Sequence, residues 1–134
     1  MKRILLAVTL GFALGAAFAS AEANAQDATS TTRKQLSRHD LSIPGFEEYQ
    51  VRVDFPKGTM APNHRHPGEE IIYVIEGHIE YQLEGQAPVT LKAGDVLFVP
   101  ARTVHSAKNV GTDNAAELGT YIVPKGKPLT ELVK

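Results

Sequence analysis

His64 and His66 stand two positions apart, Glu70 lies four positions beyond His66, and His105 comes much later in the chain. Along an extended strand side chains alternate between faces, so residues i and i+2 project from one side, a few ångströms apart. Two imidazoles placed that way suit a single metal ion. Glu70 has the same parity, and after the Pro67-Gly68 bend its carboxylate can return to that side, while His105 opens a later strand and would complete the set from across a barrel. Three neutral imidazoles and one carboxylate suit one divalent first-row transition metal (Zn, Cu, Ni, Mn or Fe) and suit Ca or Mg poorly. The competing reading is a solvated polar loop over residues 63–70. The neighbouring segment speaks against it, because residues 70–75 are the most apolar strand in the chain and would drag an unpartnered Glu70 into the core.

Composition narrows the chemistry further. The 134 residues contain no cysteine, so a metal site must be built from imidazole nitrogen and carboxylate oxygen. With 14 Lys+Arg against 15 Asp+Glu the net charge is −1, which leaves no electrostatic footprint for nucleic acid or an anionic membrane surface. A hydrophobic fraction of 43% and this length fit one globular domain.

The elements that must position the four residues read as short strands. Apolar and polar residues alternate over residues 49–55, with Tyr49, Val51, Val53 and Phe55 on one side. Pro56-Lys57-Gly58 ends that run, Glu76-Gly77 turns residues 70–75 into 78–83, and further strands are expected over 89–91, 96–99, 104–110 and 116–123. No stretch carries a helical period, so the chain reads as an all-β sandwich or barrel.

Before this domain, Lys2 and Arg3 precede a weakly polar run over residues 4–19, followed by two small-residue cleavage patterns, Ala19-Ser20-Ala21 and Ala23-Asn24-Ala25. The run is diluted by Thr9, Gly11 and Gly15 and falls short of the roughly 20 apolar residues that a bilayer span needs. Residues 1–25 are therefore expected to be a secretory signal peptide, giving a secreted, periplasmic protein with no membrane attachment after cleavage. Residues 26–45 read as a flexible polar leader, 46–124 as the barrel domain and 125–134 as a C-terminal tail.

The spacing around the two histidine clusters resembles the cupin family. Gly58, His64-x-His66, Glu70 and Gly77 reproduce its first motif without a gap, and Gly94, Pro100, His105 and Asn109 reproduce its second. One departure is Arg102, which stands where the family usually has glycine, and this touches the turn geometry and the pocket mouth. The resemblance implies a double-stranded β-helix, a jelly-roll β-barrel, with one metal held inside by His64, His66, Glu70 and His105. It is similar in its ligand set to quercetin dioxygenase-like cupins. That implies a dioxygenase acting on a small enolic or polyphenol-like molecule, with Glu70 as ligand and catalytic base. A Lewis-acid isomerase, lyase or decarboxylase and a non-catalytic metal or small-ligand binding module remain open on the sequence alone, since fold does not decide function.

Other residues have plainer expected roles. His39 and His78 should be solvated, Arg65 should face outward, and Tyr49, Tyr73, Tyr81 and Tyr121 should form barrel wall. Met60 and Phe98 should fill core or line a pocket. Ile71, Tyr73 and Ile75 make the other face of their strand apolar as well, which calls for a cover. A homodimer supplies one, and the leader folding back over that face is the alternative.

Overall fold

The computed structural model describes residues 30–134. They form ten strands and no helix: β1 Thr32–Asp40, β2 Phe46–Phe55, β3 Met60–Arg65, β4 Glu69–Glu76, β5 His78–Leu83, β6 Val89–Lys92, β7 Val96–Val99, β8 His105–Asn109, β9 Ala115–Pro124 and β10 Glu131–Leu132. One sheet runs β1-β2-β9-β4-β7, the other β10-β3-β8-β5-β6, and every pairing is antiparallel. Two packed five-stranded sheets with these crossovers are the jelly-roll barrel implied by the sequence.

Period-2 patterning builds the interior. Val51, Val53 and Phe55 of β2 are buried, as are Ile72 and Val74 of β4, Ile79, Tyr81 and Leu83 of β5, and Tyr121 and Val123 of β9. Each fully buried aliphatic or aromatic side chain contributes about 1.5–3 kcal/mol relative to exposure, so one face per strand is enough to hold the sheets together. The β4–β5 corner turns at Gly77, whose φ is 77° and where a Cβ would stand 2.6 Å from that of Ala115. Asn109 ties the far end of the barrel together. Its Nδ2 donates to Phe55 O at 2.8 Å and Asp113 O at 2.7 Å, and its Oδ1 accepts from Gly111 N–H at 2.8 Å.

The segments flanking the expected barrel differ from the sequence reading. Residues 32–40, expected to be flexible, form β1 on the outer edge of β2, with Ser37 donating to Glu48 and the Arg38 guanidinium to Glu47 at 2.8 Å. Backbone pairing carries this strand, since nearly all of its side chains are exposed. It lies at the opposite edge from Ile71 and Tyr73 and does not cover them. The tail also joins the fold, because β10 pairs with the β3 end at Arg65 and His64. Met60 and Phe98 are exposed at 50% and 56%, so they fill neither core nor pocket. Tyr73 is likewise on the outside, while Tyr81 and Tyr121 lie in the interior.

Candidate metal centre

β3 and β8 are neighbours in one sheet, and their register sets His64 directly opposite His105. A register shift between Ala61 and His64 aims the second half of β3 inward, so His64 is buried and His66 sits just past the strand end. It is therefore Glu70, on β4 of the other sheet, that reaches the histidines from across the barrel, and not His105 as the sequence suggested. The three ring centroids lie 4.2–5.2 Å apart, and their ligand-capable nitrogens all lie within 4.8 Å of one another. These three buried histidines could hold a metal ion.

Backbone carbonyls decide which nitrogen of each ring is free. His64 Nδ1 lies 2.7 Å from Pro62 O, His66 Nδ1 2.6 Å from Leu129 O, and His105 Nδ1 3.0 Å from Thr103 O. A carbonyl oxygen only accepts, so each Nδ1 donates, and the neutral ring presents the lone pair of Nε2 inward. Glu70 Oε2 lies 3.2 Å from both His66 Nε2 and His105 Nε2. Buried Oε2 and His66 Nε2 have no hydrogen-bond partner. Lone pairs facing one another in a dry interior repel unless a cation lies among them, so the donor set fits a divalent ion.

Charges in the site reflect the same arrangement. Burial and the neighbouring His105 push His64 down to about 4, which keeps that ring neutral and ready to ligate. Burial opposes ionisation of Glu70, but in the absence of an ion a proton on Nε2 of His105 or His66 takes the cation's place, and the resulting hydrogen bond and charge hold the carboxyl well below the usual carboxylate range. For His105 burial works downward and is outweighed by Glu70, so its pKa is raised.

Further polar groups line the interior beside these four. The Tyr121 ring stands edge-on to His66 at 4.8 Å. Its hydroxyl meets Glu70 Oε1 over Gly119, where a Cβ would fall 2.8 Å from the one and 2.9 Å from the other. Only glycine lets the hydroxyl fold in this close. Next along β9, buried Glu117 accepts a hydrogen bond from the Tyr81 hydroxyl. Burial and the charge of Glu70 raise the pKa of Glu117 to about 8. The sequence pattern alone assigns Tyr81 and Tyr121 to the barrel wall and does not single out Glu117. The available signal was parity: Glu117 shares its face with Tyr121 and Val123 in an otherwise apolar run. His39 and His78 lie on the exterior, and Arg65 points to Glu131 outside the barrel, all as expected.

Comparison with known proteins bears on the family and the fold. A family model described as a cupin domain matches residues 51–124. A germin-like protein of Arabidopsis thaliana is 34% identical over 87 residues, which cover 59% of this chain and 40% of that relative. A dimethylsulfoniopropionate lyase of Ruegeria pomeroyi is 38% identical over 56 residues, covering 42% of this chain and 28% of the lyase. The chain thus spans less than half the length of either relative. The crystal structure of a cupin-like protein from Thermotoga maritima superposes with a TM-score of 0.62 at 25% identity, over 77% of this chain and 75% of that one.

Proposed function

The chain belongs to the cupin family, and from that premise we propose that it is a metal-dependent enzyme, acting as a dioxygenase on a small enolic or polyphenol-like molecule. The observation that carries the metal-dependent part is the unpartnered pair of buried atoms, His66 Nε2 and Glu70 Oε2, facing each other at 3.2 Å. His64, His66 and His105 would hold the ion through Nε2 and Glu70 through Oε2. A bound first-row ion supplies Lewis acidity and, where redox-active, one-electron chemistry to an oxygen-donor substrate. With all four residues at most 5% exposed, the barrel excludes bulk water and strengthens every charge interaction within it. Glu70 is the base for an acidic substrate proton. The Tyr121 hydroxyl against Oε1 steadies the carboxylate, and Glu117, its pKa raised by burial, forms with Tyr81 a second acid–base pair in the same interior.

That Tyr81–Glu117 pair favours one alternative, a Lewis-acid lyase or isomerase, which needs a base and an acid but no oxidant. The test is oxygen uptake with flavonols, catechols and β-diketones, on protein reconstituted separately with Fe, Mn, Ni, Cu and Zn. Uptake by a redox-active form, absent from its Glu70→Ala variant and from the zinc form, is the expected result. If no form consumes oxygen while the zinc form accelerates a lyase or isomerase reaction, the dioxygenase reading falls and the Lewis-acid one replaces it. Inert forms that still bind small ligands would overturn both in favour of a binding module.

We further propose export after cleavage near Ala25 and assembly as a homodimer through the outer face of β4 and β7. Cross-strand pairs Ile71–Phe98 and Tyr73–Val96 make that face apolar, and all four side chains are exposed, Val96 and Phe98 by more than half. Native mass spectrometry of the exported protein reads both points at once. The expected species has twice the mass of a chain starting at Gln26, and Tyr73→Glu converts it to monomer. A monomer at every concentration, or a mass that still includes residues 1–25, would refute the respective claim.

A further inference from the structure

We infer that the pocket beside His66 receives a carboxylate group of the substrate, with Arg102 and Lys127 as its charges; this rests on the metal-dependent reading above and narrows its substrate class. The pocket has a volume of about 510 Å³ and is lined by Pro67, Arg102, Lys127, Thr130 and Glu131 among others. Pro67 is the residue after His66, and Arg102 N–H donates to His66 O at 2.9 Å. On the other wall, Thr130 and Glu131 come directly after Leu129, whose carbonyl accepts from His66 Nδ1. One imidazole therefore joins the two: its Nδ1 is held by the segment that walls the pocket, and its Nε2 faces Glu70 in the interior.

Arg102 is the one non-glycine among the described residues with positive φ, at 63°. A side chain in the left-handed region costs free energy that glycine would not, and such strain persists where the surroundings use the residue. Among the described residues no hydrogen bond or ion pair takes the guanidinium, whose charge reaches only Glu131. Arg102 and Lys127 form no ion pair among the described residues, whereas Glu131 at the same pocket is neutralised by Arg65 at 2.6 Å. The pocket thus presents two cations outside any ion pair, Arg102 being offset only in part by the more distant Glu131, and the Arg102 guanidinium is a planar fork that matches a carboxylate with two parallel hydrogen bonds. The Thr130 hydroxyl adds a neutral polar group at the same wall. A neutral substrate would leave both charges unanswered. A small acid carrying its reactive oxygen a few atoms from its carboxylate fits better.

Calorimetric titration of the zinc-loaded mature protein with malonate, malonamide and inorganic phosphate tests this. Malonate should bind, malonamide should not, and phosphate should bind at least tenfold more weakly. Arg102→Gly and Lys127→Gln should each weaken malonate at least tenfold with zinc content unchanged, and Arg102→Gly should melt no lower than the parent because the strain is relieved. Lys92→Gln, at the surface ion pair with Asp95, is the matched control. Equal affinity for malonate and malonamide, tighter binding of phosphate, or parent-like malonate binding by Arg102→Gly would each overturn the proposal. Zinc stoichiometry and a parallel titration of the metal-free chain read the two layers apart: a chain that takes no zinc yet binds malonate through Arg102 refutes the metal centre and retains the anion pocket.

Discussion

Replacing His105 by alanine is expected to weaken metal binding by about 100-fold or more, since loss of an outer-shell partner alone typically costs 10–100-fold. His105 sits opposite His64 in the β3–β8 register, and its Nε2 is one of two nitrogens within 3.2 Å of Glu70 Oε2. The substitution therefore removes one donor and leaves the Glu70 carboxylate with His66 alone. Metal that binds only the folded barrel stabilises it by RT ln(1 + [L]/Kd), about 2.7 kcal/mol when the ion is present at about 100 Kd. For a domain near this size that is a shift in Tm of about 10 °C or more, which the variant should lose. The measured quantity is the difference in Tm with and without metal, because His105→Ala also opens a cavity that lowers the baseline. His78→Ala is the control, as that ring is exposed at the start of β5. Equal loss of the metal-dependent shift in both variants would show that His105 is not a ligand.

Where the chain alternates with period two, the strands can be read directly from the sequence, as in β2, β5 and β9. The short β6 and β7 are marked by the turns that bound them. β1 escapes such reading because its residues are polar on both faces. What fixes it is backbone pairing to β2, which no local pattern reports. β10 escapes for a related reason: two exposed residues become a strand only because β3 offers a free edge beside the site.

The site divides the same way. Candidate ligands come from residue type and parity, so His64, His66, Glu70 and His105 can all be singled out in the sequence. Their arrangement cannot, since it depends on the shift between Ala61 and His64 and on which sheet each strand joins. Likewise the free Nε2 of His66 depends on Leu129 O, a contact spanning 63 residues. Glu117 shows a different limit. An acid in an apolar strand is visible, but whether it faces solvent or an interior Tyr81 hydroxyl is decided by pairing with β2 and β4.

Gly68→Ala should be the most damaging single-methyl change at the site, although Gly68 ligates nothing. It lies in the bend between His66 and Glu70, where β4 begins to pair with β9 through Glu69 and Ile122. A Cβ there would stand 2.0 Å from Ile122 O and 2.8 Å from Val123 Cα, both backbone atoms of a central strand. No rotamer change relieves such a contact. Either β4 lifts away from β9 or the bend twists, and both displace His66 and Glu70 on either side of it. Overpacking of a well-packed interior costs about 1–3 kcal/mol, and a clash with backbone belongs at the upper end, about 3 kcal/mol. Metal affinity should fall at least tenfold alongside, because donors must keep their distances to within a few tenths of an ångström. Gly85→Ala separates this from ordinary glycine effects. Gly85 has φ 76° and nothing within 4 Å of its would-be Cβ, so alanine there should cost about 1 kcal/mol of conformational strain and leave metal binding untouched. Denaturant unfolding and metal titration of the two variants give the comparison. A Gly68→Ala protein that binds metal like its parent would mean that the bend does not position His66 and Glu70.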